Sequence, residues 1–333
     1  MSKPNISVII PFYNSEKSLK QCLKAVYKST YRNFEVIAVS DNSLDRSDQI
    51  IEEFSCRFKR LKKNHGSGFA RNAGAKLAKG KILVFLDSDV IIKRDSLKII
   101  KSYFEKKHNC QMMQGIYSHN PNYEKISTQY LHSYQCFYVF SSKKNFIETL
   151  ISNFFSIKKK IFFKVGGFDG NFIGANAEDA DLGYKLMDKG YKIPIFRNLK
   201  VKHLVDFNIF QFLKKLCRIH TGEMKMYLRN KNIRRKIKQK NYRPIINSIV
   251  IVFLQLLLIF IEFFNQGLPS ILISSILNIL LLVNNFEFLK FVGLSKGVVT
   301  SLKCIPYIYL HMLILIYSFF WGIFGFYILK KKY

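Results

Sequence analysis

Lys81-Ile82-Leu83-Val84-Phe85-Leu86-Asp87-Ser88-Asp89 sets five consecutive apolar residues before an acidic pair. An apolar run without alternation reads as a strand buried on both faces, as in parallel sheets. Ser7-Val8-Ile9-Ile10-Pro11 reads as a second such strand, closed by a proline. Phe34–Val39 reads as a third, followed by the turn Ser40-Asp41-Asn42-Ser43. Helical patterns lie between them. Ser15 is placed to cap a helix carrying Leu19, Leu23 and Val26 on one face. Ile50, Ile51, Phe54 and Phe58 suit a second helix; Ala70, Ala73 and Leu77 suit a third, stopped by Gly80. This alternation predicts an α/β domain, a mostly parallel sheet covered by helices on both faces. Ligands of such sheets sit beyond the carboxyl ends of the strands, where Asp41 and Asp87 fall.

Downstream the pattern predicts a helix over Lys98–Lys107, a strand over Gln111–Tyr117 and a long aromatic helix over Ile126–Phe140. A strand over Phe154–Ile157 and a short helix over Lys160–Lys164 lead into the turn Gly166-Gly167-Phe168-Asp169. Asp181–Lys189 reads as a helix stopped by Gly190, and Ile193–Phe196 and Val201–Leu204 as two short strands.

Several residues suit chemistry, each beside a plainer role. Asp87-Ser88-Asp89 suits a hard cation such as Mg²⁺ or Mn²⁺, or is a solvated loop pair. Asp41 is placed to accept hydrogen bonds from a nucleobase or ribose, or to shape its own turn. The glycines of Gly66-Ser67-Gly68 expose backbone N–H groups before a helix, and Arg71 either faces phosphate or braces the loop. This is not a G-x-G-x-x-G pattern, which disfavours a dinucleotide-binding dehydrogenase. Glu178-Asp179 is a helix-start acidic pair or a general base for a hydroxyl. His203 is a structural histidine or completes a metal shell with Asp89.

The net charge is +31. Eight basic residues and no acidic ones fall in Arg229–Arg243, directly before the uncharged runs Pro244–Ile261, Phe263–Phe286 and Cys304–Leu329. Runs of that length read as membrane-spanning, and a basic cluster beside one marks its cytoplasmic side and attracts anionic lipid. The location of the charge therefore argues for membrane lipid and against nucleic acid. Met1-Ser2-Lys3-Pro4-Asn5 shows no basic-then-apolar signal pattern, so the part before Pro244 is expected in the cytosol. Six scattered cysteines without a C-x-x-C read as reduced thiols. Gln266-Gly267-Leu268-Pro269 predicts a hairpin between the first two runs. If all three runs cross, Lys330-Lys331-Lys332 ends outside, against the positive-inside tendency; otherwise one segment is re-entrant.

The motifs Ser7–Asn14, Val39–Asp45, Gly68–Gly74, Phe85–Asp89, Gly166–Asp169 and Glu178–Leu182 occur in an order that resembles the family 2 glycosyltransferases, over roughly residues 5 to 225. The resemblance implies a GT-A fold, a Rossmann-like mixed sheet flanked by helices, here followed by a C-terminal α-helical transmembrane region. It implies an inverting mechanism, a nucleotide-sugar donor and a divalent metal, Mg or Mn. Pro11, Tyr13, Asp41, Arg71, Asp87 and Ser88 would bind the donor, and Asp89 and His203 the metal. Asp179 would be the catalytic base with Glu178 beside it, and Gly167, Phe168 and Asp169 would line the acceptor side. The segment after His203, through Arg218 and Gly222, resembles a loop that closes over the donor in some relatives. Ser40 stands where the family often has Asp, and Asn42 where it often has Gly. The expected organisation is a catalytic domain over 1–228, a basic juxtamembrane segment over 229–243 and two to three transmembrane helices over 244–333. The expected activity is transfer to a hydroxyl of a glycan or lipid-linked acceptor at the cytoplasmic membrane face, as in cell-surface polysaccharide synthesis. The alternatives are a polyprenyl-phosphate glycosyltransferase and an inactive membrane scaffold of the same fold. The intact Asp87-Ser88-Asp89 and Glu178-Asp179 motifs disfavour the scaffold, and a phosphate acceptor needs little base catalysis.

Overall fold

The computed structural model describes residues 3–106, 110–118, 123–141, 145–147, 150–172, 177–229, 243–264 and 270–330. The chain divides into two compact units: Met1–Pro121 with Val139–Val205, and Asn122–Tyr138 with Asp206–Lys332. This division does not follow the expected boundary at residue 228, because α5 and α8 (below) group with the apolar helices.

The first unit is built on β1 (Ile6–Phe12), α1 (Leu19–Tyr27), β2 (Phe34–Ser40), α2 (Ser47–Glu52), β3 (Arg57–Arg60), α3 (Ser67–Leu77), β4 (Ile82–Leu86), β5 (Val90–Ile91) and α4 (Ser96–Lys106). After β6 (Met112–Tyr117) and α5 (Ile126–Ser141) come β7 (Phe146–Ile147), β8 (Phe154–Lys158), α6 (Lys159–Lys164), α7 (Glu178–Asp188) and β9 (Ile193–His203). The described strands form one mixed sheet in the order β3-β2-β1-β4-β8-β6-β9-β5, with β7 also on β9. β3, β2, β1 and β4 run parallel, while β8 is antiparallel to both β4 and β6. Val8 and Ile10 face a core with Leu23, Val26, Leu97 and Ile100; Ile9, Leu83 and Phe85 face another with Ala70, Ala73, Leu182 and Leu186. Burial on both faces explains why these strands read as uninterrupted apolar runs.

Four local expectations need correction. Phe58 is not helical: α2 stops at Glu52, and Phe58 lies in the exposed edge strand β3, stacked on Phe12. Ser15 is not a helix cap; α1 starts at Leu19, and the Ser15 hydroxyl instead meets Ser88 at 2.9 Å. Ile193–His203 is one strand rather than two, with a register shift against β6 that accommodates its polar middle. The segment through Arg218 and Gly222 is helix α8 (Ile209–Arg229), not a loop.

The second unit is helical: most of α5, then α8, α9 (Arg243–Phe264), α10 (Ser270–Asn284), α11 (Phe286–Lys296), α12 (Val298–Lys303) and α13 (Ile305–Tyr327). Two segments among the described residues are long and apolar enough to cross a membrane: Pro244–Phe263, mean hydropathy 2.6, and Val298–Tyr327, mean hydropathy 1.7. α10 and α11 pass the same test only jointly and are bent by 61° between them. α9 and α10 form an antiparallel hairpin. Gln255 donates to Asn278 at 2.7 Å, and Asn284 donates to the Pro244 carbonyl at 2.6 Å and to Ser248 at 2.7 Å. Side-chain amides of this kind join helices where water is excluded. The expected turn at Gln266–Pro269 and the basic stretch between Arg229 and Arg243 lie outside the described residues.

Candidate active site

The site gathers at the carboxyl ends of β1, β2 and β4. β4 ends at Leu86 and delivers Asp87, whose N–H donates to the Asn153 carbonyl at 3.1 Å. Ser88 is held from the β1 side by Ser15. Two residues on, β5 pairs antiparallel with β9, setting Val90 opposite His203. That short bridge places His203 Nε2 3.3 Å from Asp89 Oδ2, and the Leu204 N–H donates to the Asp89 carbonyl at 2.8 Å. The pair expected from sequence is thus brought together by strand pairing. Tyr117 lies against the His203 ring at 5.1 Å.

Arg71 is the hub of the site. Its side chain is buried on α3 and bonds Asp87 at 2.7 Å and Glu178 at 3.3 Å. The ring of Phe168 lies 5.4 Å from its guanidinium carbon. Ser67 donates a second bond to Glu178. Of the two roles open in the sequence, this geometry is the brace: the guanidinium is 5 % exposed and already committed to carboxylates, not turned to a phosphate. Burial would disfavour its charge, but Asp87 and Glu178 outweigh that and hold it firmly protonated.

The acidic pair at the start of α7 divides. Glu178 is buried against Arg71, Ser67 and Gly68, where an added Cβ would meet its Cγ at 3.1 Å. Asp179 is only half-buried. Its Oδ1 accepts from the Ala180 N–H at 2.8 Å and its Oδ2, more loosely, from the Ser152 N–H at 3.4 Å. Desolvation and the adjacent Glu178 carboxylate push Asp179 up to about 7, against the opposing charge of Arg71.

Asp41 is buried and accepts from the His65 and Gly66 N–H groups at 2.8 and 2.7 Å, clamping the loop before α3. Neither of its sequence readings anticipated this bond. Asn42 adopts φ 65°, the left-handed region that asparagine tolerates, so the loop keeps its shape without glycine. Pro11 is buried in β1, whereas Tyr13 just beyond it is exposed. Gly167, at φ 66°, and Phe168 belong to the framework. The Asn72 amide donates to the Phe168 carbonyl at 2.8 Å and accepts its N–H at 3.1 Å, while the Phe168 ring packs on Phe85 and Phe162. The Phe168 side chain is buried, and Asp169 is partly accessible. Ser152 carries no signal in the sequence, and the contacts of Ser15 with Ser88 and of Ser67 with Glu178 differ from the roles expected there.

Residues 7–176, about half of the chain, match the family described as glycosyl transferase family 2. The chain belongs to that family. Among curated relatives, this glycosyltransferase family member is 32% identical over 120 residues to the glycosyltransferase GlyG of Streptococcus pneumoniae, covering 34% of this chain and 40% of that protein. It is 36% identical over 113 residues to an uncharacterized glycosyltransferase of Haemophilus influenzae, covering 32% and 45%. The matches span less than half the length of these relatives. Among solved structures, it resembles the mannosyltransferase PcManGT of Pyrobaculum calidifontis, in complex with GDP-Man and Mn²⁺, with TM-score 0.66, 14% identity, and 96% and 88% of the two chains covered. Residues 1–349 of S. aureus TarS, in complex with UDP-GlcNAc, give TM-score 0.50, 17% identity, and coverage of 97% and 91%. These likenesses establish the GT-A fold of this family 2 member.

The donor set next to Asp87 fits a metal of one type. Among the described residues no three His, Cys, Asp or Glu side chains converge tightly enough to hold an ion alone. Asp89 with His203 offers one carboxylate and one imidazole. That suits a cation that completes its shell with water and phosphate oxygens, as Mg²⁺ and Mn²⁺ do, and not a closed zinc site.

Proposed function

We propose that this chain is an inverting glycosyltransferase that moves a sugar from a nucleoside-diphosphate sugar to a hydroxyl of a glycan or lipid-linked acceptor at the cytoplasmic face of a membrane, in cell-surface polysaccharide or glycoconjugate synthesis. The observation that carries the reading is the division of Glu178 from Asp179. Glu178 is tied inward to Arg71, while Asp179 keeps a partly accessible carboxylate with its proton affinity raised toward neutrality. A base is most effective when its pKa lies near the working pH.

Asp179 Oδ2, the less firmly bonded oxygen, takes the proton of the acceptor hydroxyl. The hydroxyl oxygen attacks the anomeric carbon from the face opposite the diphosphate. The bond to the diphosphate oxygen breaks, the electron pair leaves with it, and the carbon is inverted in one displacement. Arg71 fixes Asp87 and Glu178 so that donor and acceptor sides keep register. A divalent cation held by Asp89 and His203 would offset charge on the departing diphosphate. Asp41, Tyr13 and Ser88 stand on the donor side, and Asp169 on the acceptor side. A phosphate acceptor arrives already ionised and gives Asp179 nothing to do, so the tuned carboxylate supports a hydroxyl.

Residues 1–228 are taken as the catalytic portion, 229–243 as a basic strap toward anionic lipid, and the apolar helices beyond 244 as the anchor. The test is a panel of nucleoside-diphosphate sugars with Mn²⁺ and Mg²⁺, scored by thermal shift and donor turnover on purified protein. At least one donor should stabilise the protein and be turned over. Asp179→Asn should retain donor binding and lose transfer; full transfer by that variant rejects the base assignment.

A further inference from the structure

α13 passes the length and apolarity test for a membrane span, yet its neighbour contradicts that role. α8 lies along it. Phe212 meets Tyr307 edge to face at 5.4 Å, and His220 Nε2 lies 2.8 Å from His311 Nε2. Farther on, a Cβ at Gly322 would collide with Met224 at 2.7 Å, and one at Gly325 would touch Lys225 at 3.7 Å. The contact therefore runs in parallel from Tyr307 to Gly325. α8 carries Lys214, Lys215, Arg218, Glu223, Lys225 and Arg229. Charged groups are costly at a bilayer centre, so a helix carrying six of them is a poor companion for a span through it. α8 also begins only five residues after Leu204, at the end of β9.

The outer face of α13 has its own pattern. Tyr317, Phe320, Trp321, Phe324 and Tyr327 recur at helical spacing and are 42–60 % exposed, while His311, Ser318, Gly322 and Gly325 on the other side are buried. Tyr and Trp favour the headgroup level, and a stripe of them along one face, with the charged helix α8 packed on the other, suits a helix pair lying in that plane. The α9–α10 hairpin also returns to its starting side, since Asn284 reaches the Pro244 carbonyl.

We infer that α13 docks its aromatic stripe on a phospholipid surface, in the plane of the membrane, rather than crossing. Lys290, Lys296, Lys303 and Lys330 then all face one leaflet. This removes the conflict with the positive-inside tendency and provides cations for anionic headgroups. The inference does not rest on glycosyl transfer.

The test uses the full chain in sealed vesicles of both orientations. A membrane-impermeant amine reagent is applied, and labelled lysines are mapped by mass spectrometry. The exposed Lys290, Lys303 and Lys330 should all be labelled from one and the same side. Lys330 labelled from the side opposite Lys290 and Lys303 overturns the inference. Trp321 is the one tryptophan of the sequence, so its fluorescence reports this face alone. Bromine placed near the headgroup end of the acyl chain should quench it more than bromine near the chain terminus. The reverse order, or no quenching by either lipid, also overturns the inference.

Discussion

The guanidinium of Arg71 bonds the Asp87 carboxylate at 2.7 Å, and its other terminal nitrogen lies 3.3 Å from Glu178, 107 residues further along the chain. One cation thereby joins the end of β4 to the start of α7. Truncating it strands two carboxylates, one of them fully buried. Arg71→Leu should cost about 3–5 kcal/mol. Chemical denaturation measures this, and adding Glu178→Gln should recover part of the loss by removing the stranded charge.

The pH profile tests Asp179 as the proposed base. Its carboxylate must be ionised to take a proton, so transfer should rise with pH through about 7 and then level off. Glu178→Gln removes a neighbouring negative charge, so this limb should move to lower pH. Initial rates at saturating donor, measured from pH 5 to 9, check both statements.

The same carboxyl affects stability with the opposite trend. Its folded value lies above the ordinary 3.8, so between about pH 4 and 7 the folded chain holds the proton more tightly than the unfolded chain does. Stability from this group is therefore present at low pH and lost as pH rises to 7. Asp179→Asn should gain on the order of 1–3 kcal/mol over the parent at pH 8 and nothing at pH 4. Paired urea titrations at the two pH values decide it.

Asn42 sits at φ 65° and accepts a bond from Arg60 at 3.1 Å. Asn42→Ala and Asn42→Gly both lose that bond, but only alanine pays the left-handed backbone penalty. Ala should be less stable than Gly by about 1 kcal/mol, read from melting temperatures.

Asp89→Ala removes the carboxylate of the Asp89–His203 pair. Calorimetric binding of a nucleoside diphosphate should lose its dependence on Mn²⁺, while the metal-independent remainder persists. Unchanged metal dependence would place the cation elsewhere.

The central strands were readable because burial on both faces leaves no room for polar alternation. β3 was not: Arg57-Phe58-Lys59-Arg60 is an exposed edge strand whose charges resemble a solvated loop. In the sequence β9 reads as two strands because Arg197 and Asn198 interrupt its apolar pattern, whereas backbone pairing tolerates a bulge there. The pairing of Asp89 with His203 was anticipated from residue type, and β5–β9 supplies its geometry. The roles of Arg71 and Phe168 were not legible, since a motif gives the identity of a side chain but not whether it faces a ligand or the core. Glu178 and Asp179, adjacent and chemically alike, were separable only once helix α7 turned one inward.

Asp41 holds the His65 and Gly66 amides with both of its oxygens. A ligand that draws on this carboxylate competes with the backbone that positions the first turn of α3, so capture of a ligand there and loosening of that turn are one event seen from two ends. Amide hydrogen exchange at His65 and Gly66 becomes a reporter of occupancy, sensitive to which groups a ligand offers to Asp41 even when its affinity is unchanged.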